Sequence, residues 1–197
     1  MKVYFNLSLE GFSNCYVVTN PEKKAAIIID PGTVTKEILL QIEREQLNLE
    51  AVLITHNHES HLKGLATLRK IYTPKIYAAD YEVADRETQI LKDDGILRIG
   101  GLQVGYMSVP GHTPDSMVFK IGKVLFTGDA LTASTLGSTT NTYAERMLLA
   151  AVHNKILSQH DDTVIMPGHG PPSSVAAEKK FNTSVVVRTV SGLDDKG

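Results

Sequence analysis

Short apolar runs alternate with amphipathic segments along most of the chain. Runs rich in Val and Ile that are bounded by Gly, Pro, Asn or Asp are typical of β-strands. They predict strands at 2–7, 15–19, 25–29, 51–55, 75–78, 101–109, 116–121, 124–127 and 163–166. The pair Gly122-Lys123 between two of these runs indicates a tight hairpin turn.

Apolar residues spaced three or four positions apart predict amphipathic helices between the strands. In the first of them, Ile38, Leu39 and Ile42 form one apolar stripe, and charged residues occupy the other positions. The predicted helices span 33–47, 58–71, 80–91, 143–157 and 174–181. Because both halves of the chain combine strands and helices in a similar order, the pattern indicates two sheets with helices outside them, a layered α/β domain.

Composition narrows the classes of protein that fit. The 197 residues carry 20 Lys and Arg against 22 Asp and Glu, a net charge of −2, which argues against nucleic acid or an anionic membrane as partner. The length suits a single domain over 1–197. No apolar run approaches the roughly 20 residues of a membrane span, and the first residues lack a signal core, so we expect a cytoplasmic protein. The one cysteine, Cys15, excludes an internal disulfide and is interpreted as a small buried residue.

Histidines concentrate at the ends of the apolar strands. Five of the seven, together with one aspartate, occupy such positions: His56, His58, His61, His112, His169 and Asp129. Sheets of α/β proteins place ligand sites at strand ends, and the His-x-His spacing puts two imidazoles on one side of an extended segment. Imidazole is a common ligand of zinc and iron, and a carboxylate can bridge two ions. We therefore predict a metal site, and we interpret His153 and His160 as ordinary surface residues.

Ordered sequence blocks give the chain a resemblance to a known family. They lie at 14–18, 29–32, 55–61 (THNHESH), 111–114 (GHTP), 126–129 (FTGD), 162–172 and 178–180. In these blocks the chain resembles the metallo-β-lactamase superfamily and, within it, the short glyoxalase II-like hydrolases. The resemblance implies a four-layered αββα sandwich with a metal site at one edge of its two sheets.

The resemblance also implies a ligand set. It assigns His56, His58 and His112 to a first metal ion, Asp129 to a bridge, and His61 and His169 to a second ion. The expected metal is zinc, one or two ions per chain, with iron and manganese as alternatives. The family has an Asp directly before the third His of the motif, where this chain has Ser60. Because a hydroxyl is a poorer ligand than a carboxylate, the first site is predicted to be intact and the second weakened.

Three further features bear on function. Glu59 could replace the missing Asp, but the side chain of an adjacent residue should point elsewhere. At 137–140 the chain has Gly-Ser-Thr-Thr, where short glyoxalase II-like proteins usually have a stretch of the type Gly-Arg-Thr-Asp. We therefore expect the residues that support the metal ligands to differ from theirs. Full glyoxalase II enzymes carry a C-terminal helical domain that helps bind the glutathione thioester, and with 27 residues after Gly170 we expect no such domain here.

The resemblance implies a metal-dependent hydrolase that acts on a small thioester or ester through metal-bound hydroxide, with Asp129 as the catalytic residue that orients the nucleophile. The expected partner is a small-molecule substrate. One alternative is a mononuclear iron oxidoreductase similar to persulfide dioxygenases, since relatives with this fold oxidise glutathione persulfide on a single iron. The other alternative is a metal-binding protein with lost or reduced catalysis.

Overall fold

The computed structural model describes residues 1–9, 11–83 and 87–186, and these form two six-stranded sheets and one small hairpin. The first sheet contains β1 (Lys2–Leu7), β2 (Asn14–Asn20), β3 (Ala25–Ile29), β4 (Asn48–Leu53), β5 (Lys75–Ala78) and β6 (Thr88–Ile90). The strands that follow are β7 (Gly95–Ile99), β8 (Leu102–Ser108), β9 (Met117–Ile121), β10 (Val124–Gly128), β11 (Leu131–Thr132), β12 (Thr135–Leu136), β13 (Val164–Pro167) and β14 (Ser173–Ser174).

The order of the strands brings several strand ends to the same edge of each sheet. In the first sheet, β1 to β6 lie in sequence order, antiparallel from β1 to β3 and parallel from β3 to β6. In the second sheet the order is β14-β13-β10-β9-β8-β7, and β10 runs parallel to β13. The carboxyl ends of β3, β4 and β5 therefore meet at one edge, as do those of β10 and β13.

Three of the α-helices begin at capping side chains. The described residues include α1 (Lys36–Arg44), α2 (Glu59–Leu62), α3 (Leu65–Ile71), α4 (Thr142–Ala151) and α5 (Val175–Phe181). Side-chain oxygens of Thr35, Asn141 and Ser174 accept hydrogen bonds from the first turns of α1, α4 and α5, which satisfies otherwise unpaired N–H groups. A π-helical turn at Val152–Ile156 continues α4, and 3-10 turns lie at Pro21–Lys23 and Tyr81–Val83.

Alternating side chains of the strands divide the apolar core into three layers. On β2, Cys15 and Val17 pack in the layer that contains residues of α1 and α3, whereas Tyr16 packs between the two sheets. There, its ring lies edge-on to that of Phe126 from the second sheet, with ring centroids 5.2 Å apart. The third layer joins the second sheet to α4 and α5. The resulting order of helix, sheet, sheet and helix confirms the αββα sandwich.

The helix predicted at 80–91 is wrong. Tyr81–Val83 form a single 3-10 turn and Thr88–Ile90 form β6, while residues 84–86 lie outside the described part of the chain. β6 adds to the edge of the first sheet by pairing with β5. Tertiary pairing of this kind overrides the weak helical period of a short segment.

The other differences also have local causes. The helix predicted at 33–47 begins later, at Lys36, because Thr35 serves as its N-cap. The helix predicted at 58–71 is interrupted at Gly64, whose N–H donates to the carbonyl of Pro31 at 2.7 Å. Strand β7 was not predicted, although it continues directly into β8 through the turn Gly100-Gly101. The remaining predicted strands are confirmed, with ends shifted by a few residues at most. Among the described residues, no helix has both the length and the apolar character needed to cross a bilayer.

Candidate metal centre

The loops that follow β4, β8, β10 and β13 bring all six predicted site residues together. The structure places their donor atoms in two groups that share Asp129, and within each group the atoms lie within 4.8 Å of one another. The first group is His56, His58, His112 and Asp129, and the second is His61, Asp129 and His169. This is the division that the resemblance implied.

Distances within the first group fit a single small cation. Nδ1 of His58 lies 2.9 Å from Nε2 of His56 and 3.3 Å from Nε2 of His112. Oδ2 of Asp129 lies 3.7 Å from Nε2 of both His56 and His112. Ligands about 2.0–2.1 Å from a tetrahedral zinc ion would stand about 3.3 Å apart. The observed distances scatter around that value, so the four side chains fit a metal ion.

The second group contains a buried donor atom that the protein leaves unsatisfied. Nε2 of His61 is buried without a hydrogen-bond partner and lies 3.6 Å from Oδ2 of Asp129. Nδ1 of His169 lies 2.7 Å from Oδ1 of the same carboxylate. Gly168 lines this space closely, since a Cβ there would come within 2.4 Å of Asp129 Oδ1 and 2.6 Å of His61 Cε1. An unpartnered imidazole nitrogen in a space kept open by glycine also fits a metal ion.

One carboxylate, that of Asp30, sets the tautomers of two of these histidines. Asp30 is buried at the end of β3, and its Oδ2 accepts from Nδ1 of His61 at 3.1 Å and from the Thr55 hydroxyl at 2.7 Å. The Thr55 oxygen in turn lies 3.0 Å from Nδ1 of His56 and accepts its proton. Because Nδ1 of both rings is engaged in this way, each ring turns Nε2 toward its donor group, where a metal ion would take the place of a proton on that nitrogen.

Main-chain carbonyls orient two further histidines. The Ser138 carbonyl lies 2.8 Å from Nδ1 of His112, so that Nε2 of this ring faces the first group. The Gly11 carbonyl lies 3.2 Å from Nε2 of His169, so that Nδ1 faces the second. Ser138 lies in the stretch 137–140, where the sequence predicted a different support for the metal ligands. The shorter contact comes from the backbone oxygen of Ser138, and the hydroxyl of the same residue lies 3.4 Å from the same nitrogen.

Asn57, between the first two motif histidines, is held by carboxylates from both halves of the chain. Its backbone N–H donates to Oδ2 of Asp115 at 2.8 Å, ahead of β9 in the second sheet. Its side-chain amide donates to Oδ2 of Asp80 at 3.0 Å, just after β5 in the first sheet. These two contacts fix the backbone between His56 and His58, and thereby the direction in which both imidazoles point.

The surroundings drive the pKa values of neighbouring groups in opposite directions. Burial, together with the nearby imidazole of His61, lowers the pKa of His56 to about 2. Burial acts in the same sense on His61, but the carboxylates of Asp30 and Asp129 outweigh it and raise the pKa of His61 to about 10. At Asp129 burial is outweighed by the hydrogen bond from His169 and the neighbouring His61, which hold its pKa well below its usual range. Asp129 is therefore the negative charge that both groups share.

The loop between β1 and β2 forms one wall of the site. Ser13 donates to the carbonyl of Ser60 at 2.6 Å and pairs through an isolated β-bridge with His169. Leu9 and Phe12 in this loop are 81% and 69% exposed, so the wall carries apolar side chains that the core does not use. A cavity of about 230 Å³ lies beside it and is lined by Gly11, Gly32, Glu59, Ser60 and Lys63.

Glu59, His160, Cys15 and Asp30 lie outside the two donor groups. Glu59 joins neither group, and His160 is an exposed residue that pairs with Asp162, as expected of a surface histidine. Cys15 is buried, and burial raises the pKa of its thiol. The sequence interpretation misses the role of Asp30, which it includes only in the block 29–32 that supports the resemblance. It ends an apolar strand as Asp129 does, and that shared position was the available signal.

Known proteins share sequence with most of the chain. Residues 9–92 match the profile of the family described as the metallo-beta-lactamase superfamily. Hydroxyacylglutathione hydrolase GloC of Haemophilus influenzae is 28% identical over 193 residues, covering 86% of this chain and 91% of that protein. An uncharacterized protein of Mycobacterium tuberculosis is 30% identical over 203 residues, covering 86% of this chain and 91% of that protein.

A solved structure shares the fold over nearly the whole chain. The crystal structure of ETHE1 from Myxococcus xanthus matches with a TM-score of 0.82 and 25% sequence identity, covering 92% of this chain and 83% of that chain. The fold, the sequence match and the two histidine groups that share an aspartate agree with one another. The chain belongs to the metallo-β-lactamase superfamily.

Proposed function

We propose that this protein is a metal-dependent hydrolase of a small thioester or ester, with one tightly held ion in the first group and a weaker second site. The observation that carries the proposal is the convergence of three imidazole nitrogens and one carboxylate oxygen at distances suited to one ion. Three histidines with a further oxygen ligand are a workable catalytic zinc site. Zinc is the proposed metal.

The chain's own groups would divide the work of hydrolysis among them. When bound, a divalent ion supplies a Lewis acid that polarises the substrate carbonyl and makes water more acidic. Asp129, which is ionic and shared by the two groups, orients the attacking water by accepting its hydrogen bond. Asp30 and the Ser138 carbonyl hold the imidazoles of His56 and His112 in place, so the site is organised before substrate arrives.

Ser60 sets the balance between the two groups. A carboxylate at this position would add a charged oxygen beside His61, whereas a hydroxyl adds a neutral and weaker ligand. The second group then consists of two imidazoles and the shared Asp129. We therefore propose full occupancy of the first group at metal concentrations that leave the second largely empty.

The proposed substrate class follows from the mouth of the site and from a relative. Leu9 and Phe12 offer an apolar surface beside His169 on which the hydrocarbon part of a small ester or thioester can rest. GloC of Haemophilus influenzae is named as a hydrolase of hydroxyacylglutathione, a thioester. A net charge of −2 offers no attraction for nucleic acid, which supports a small-molecule substrate.

Metal analysis combined with a substrate panel tests the proposal. The protein is purified without chelators, its metal content is measured, and hydrolysis of short acyl thioesters and esters is followed. Hydrolysis that disappears with a chelator and returns with added zinc supports the proposal. A protein that holds no metal and gains none from zinc, iron or manganese contradicts it. Metal binding without hydrolysis of any thioester or ester would instead indicate a metal-binding protein without this catalysis.

A second candidate function is oxidation of a persulfide on a single iron. The observation that favours it is the sparse ligation of the second group, because open coordination positions suit an iron centre that binds oxygen. The two functions differ in what they consume. Oxygen uptake by the iron-loaded protein in the presence of glutathione persulfide, without thioester hydrolysis, would favour the oxidoreductase.

A further inference from the structure

A short hairpin connects two parts of the metal centre. Asp129 lies directly before it, β11 and β12 form its arms, and Ser138, whose carbonyl orients His112, follows it. The N–H of Gly137 donates to the carbonyl of Ala130 at 3.1 Å and closes the base of the hairpin. Gly137 also packs so closely on Asp129 that a Cβ there would come within 1.9 Å of the Asp129 carbonyl oxygen. A shift of the hairpin would therefore move both Asp129 and Ser138.

The turn of this hairpin is anchored to a carboxylate from α5. Glu178 is 2% exposed, and its Oε2 and Oε1 lie 3.0 Å and 3.2 Å from the backbone nitrogen of Ser134, which donates to them. The same carboxylate accepts from the side-chain amide of Asn182 at 2.7 Å and from the hydroxyl of Ser173. Glu178 is thus a buried acid with its acceptor positions filled, and the proposed chemistry does not use it.

The turn depends on this anchor because its backbone is strained. Ser134 has a φ of 65°, in the left-handed region that residues with a side chain rarely adopt. The N–H of Ser134 donates to a charged acceptor, and hydrogen bonds of this kind are stronger than those between neutral groups. The pairing of β11 with β12 closes the hairpin, but the strained residue at its tip is anchored to the rest of the protein by this carboxylate, so we expect the turn to change conformation when the carboxylate is altered.

We propose that Glu178 is a positioning residue for the metal centre and acts through the hairpin. By holding the N–H of Ser134, it fixes the hairpin and with it the Asp129 carboxylate and the Ser138 carbonyl that orients His112. Two ligands of the first group thereby depend on a residue of α5. The inference rests on the proposed metal function and extends it to a side chain that touches neither the ion nor the substrate.

Cobalt binding distinguishes positioning from simple support of the fold. Metal-free wild type, Glu178→Gln and Ser174→Ala are titrated with Co²⁺, and both the dissociation constant and the visible ligand-field spectrum are recorded. Both oxygens of Glu178 accept from the Ser134 N–H, and Gln replaces one of them with an N–H₂ donor, so the contact is reduced to one neutral oxygen at most. Ser174→Ala removes the N-cap of α5 and weakens that helix while leaving the contact between Glu178 and Ser134 in place. It is the matched control.

The expected result is a rise of about tenfold or more in the Co²⁺ dissociation constant of Glu178→Gln, with a changed visible spectrum. Ser174→Ala should melt at a lower temperature yet bind Co²⁺ as wild type does. Equal binding by Glu178→Gln and wild type, or an equal loss in Ser174→Ala, overturns the inference. If Glu178→Gln does not fold, Glu178→Asp, which withdraws the carboxylate from Ser134 by one methylene, is measured with the same expectations. A wild type that binds no Co²⁺ contradicts the proposed function itself.

Discussion

Asp30 and His61 form a buried carboxylate–imidazole pair, with Oδ2 of Asp30 3.1 Å from Nδ1 of His61. The same oxygen accepts the hydroxyl proton of Thr55, which in turn accepts from His56. One aspartate thus orients an imidazole in each of the two donor groups. Asp30 adopts a φ of 50°, an unusual backbone conformation for this residue, which the surrounding hydrogen bonds stabilise.

Replacing Asp30 with Asn should weaken metal binding in both groups. The N–H₂ group of the new Asn faces a donor in either orientation of the side chain: the Thr55 hydroxyl and His61 in one, and the backbone N–H of Thr55 in the other. At least one of these hydrogen bonds is therefore lost. We expect a loss of about tenfold to 100-fold in zinc affinity, measured by competition with a chromophoric chelator. Thr33→Val, which removes the nearby hydrogen bond between Thr33 and Ser8, is the control and should bind as wild type. Unchanged affinity in Asp30→Asn would show that this carboxylate does not orient the ligands.

Restoring a carboxylate at position 60 should strengthen the second site. Ser60→Asp is expected to raise the metal content from about one toward two ions per chain, since a carboxylate is a stronger ligand than a hydroxyl. The cavity of about 230 Å³ beside Ser60 provides room for the larger side chain. Ser60→Asn has nearly the same size without the charge and should stay near one ion. Elemental analysis after gel filtration measures the difference, and equal metal content in both variants would show that Ser60 does not limit the second site.

The contact between Asp115 and the backbone of Asn57 should matter for the first group alone. Asp115→Ala leaves the Asn57 N–H without its acceptor and frees the segment that aims His56 and His58, so zinc affinity should fall about tenfold. Asp115→Asn keeps an acceptor oxygen and should lose much less. Isothermal titration with zinc distinguishes the two variants. A loss of equal size in both would indicate that the negative charge near His58, rather than the hydrogen bond, is what counts.

The metal-free protein should be most stable near pH 6.5. The pKa of His61 is raised from 6.5 to about 10, so its stabilising effect is complete below pH 6.5 and is lost as the pH rises through about 10. The pKa of His56 is lowered from 6.5 to about 2. Below pH 6.5 this histidine therefore binds a proton in the unfolded chain but not in the folded protein, so the stability of the folded protein falls as the pH drops. Asp129, with its lowered pKa, adds to the loss at still lower pH.

Melting temperatures of chelator-treated protein between pH 4 and pH 10 measure this dependence. His56→Asn removes the group that titrates on the acid side and should flatten the decline just below pH 6.5. A melting temperature that still climbs at pH 9 would contradict the ionic pair between His61 and its two aspartates.

The candidate ligands could be predicted from sequence because each stands where an apolar strand ends. His56, His112, Asp129 and His169 follow β4, β8, β10 and β13, and the sheet topology brings these ends together. The repeated order of strands and helices likewise predicted two sheets with helices outside them, and the resemblance to the superfamily implied the αββα arrangement. The helical periodicity gave a wrong prediction for the segment that contains β6, because this short segment pairs with β5 at the edge of the first sheet.

The contacts that orient the ligands could not be predicted in the same way. His112 is oriented chiefly by the main-chain carbonyl of Ser138, and a carbonyl has no sequence signature, so the residues at 137–140 indicate the place of this contact but not its kind. Asp30 is 31 residues from the histidine it orients, and Asp115 is 58 from Asn57. Such distant pairs depend on loop conformations, such as the left-handed backbone at Asp30, that the residue pattern does not specify.

In the proposed mechanism the first group alone supports hydrolysis. Stepwise addition of zinc to metal-free protein, with bound metal and thioester hydrolysis measured at each step, distinguishes hydrolysis with one ion from hydrolysis with two. We predict that hydrolysis rises with the first equivalent and reaches its plateau near one ion per chain, and that His112→Ala shows neither tight binding nor activity. Activity that appears only with the second equivalent, or that persists in fully metal-free protein, would contradict hydrolysis by a single ion in the first group.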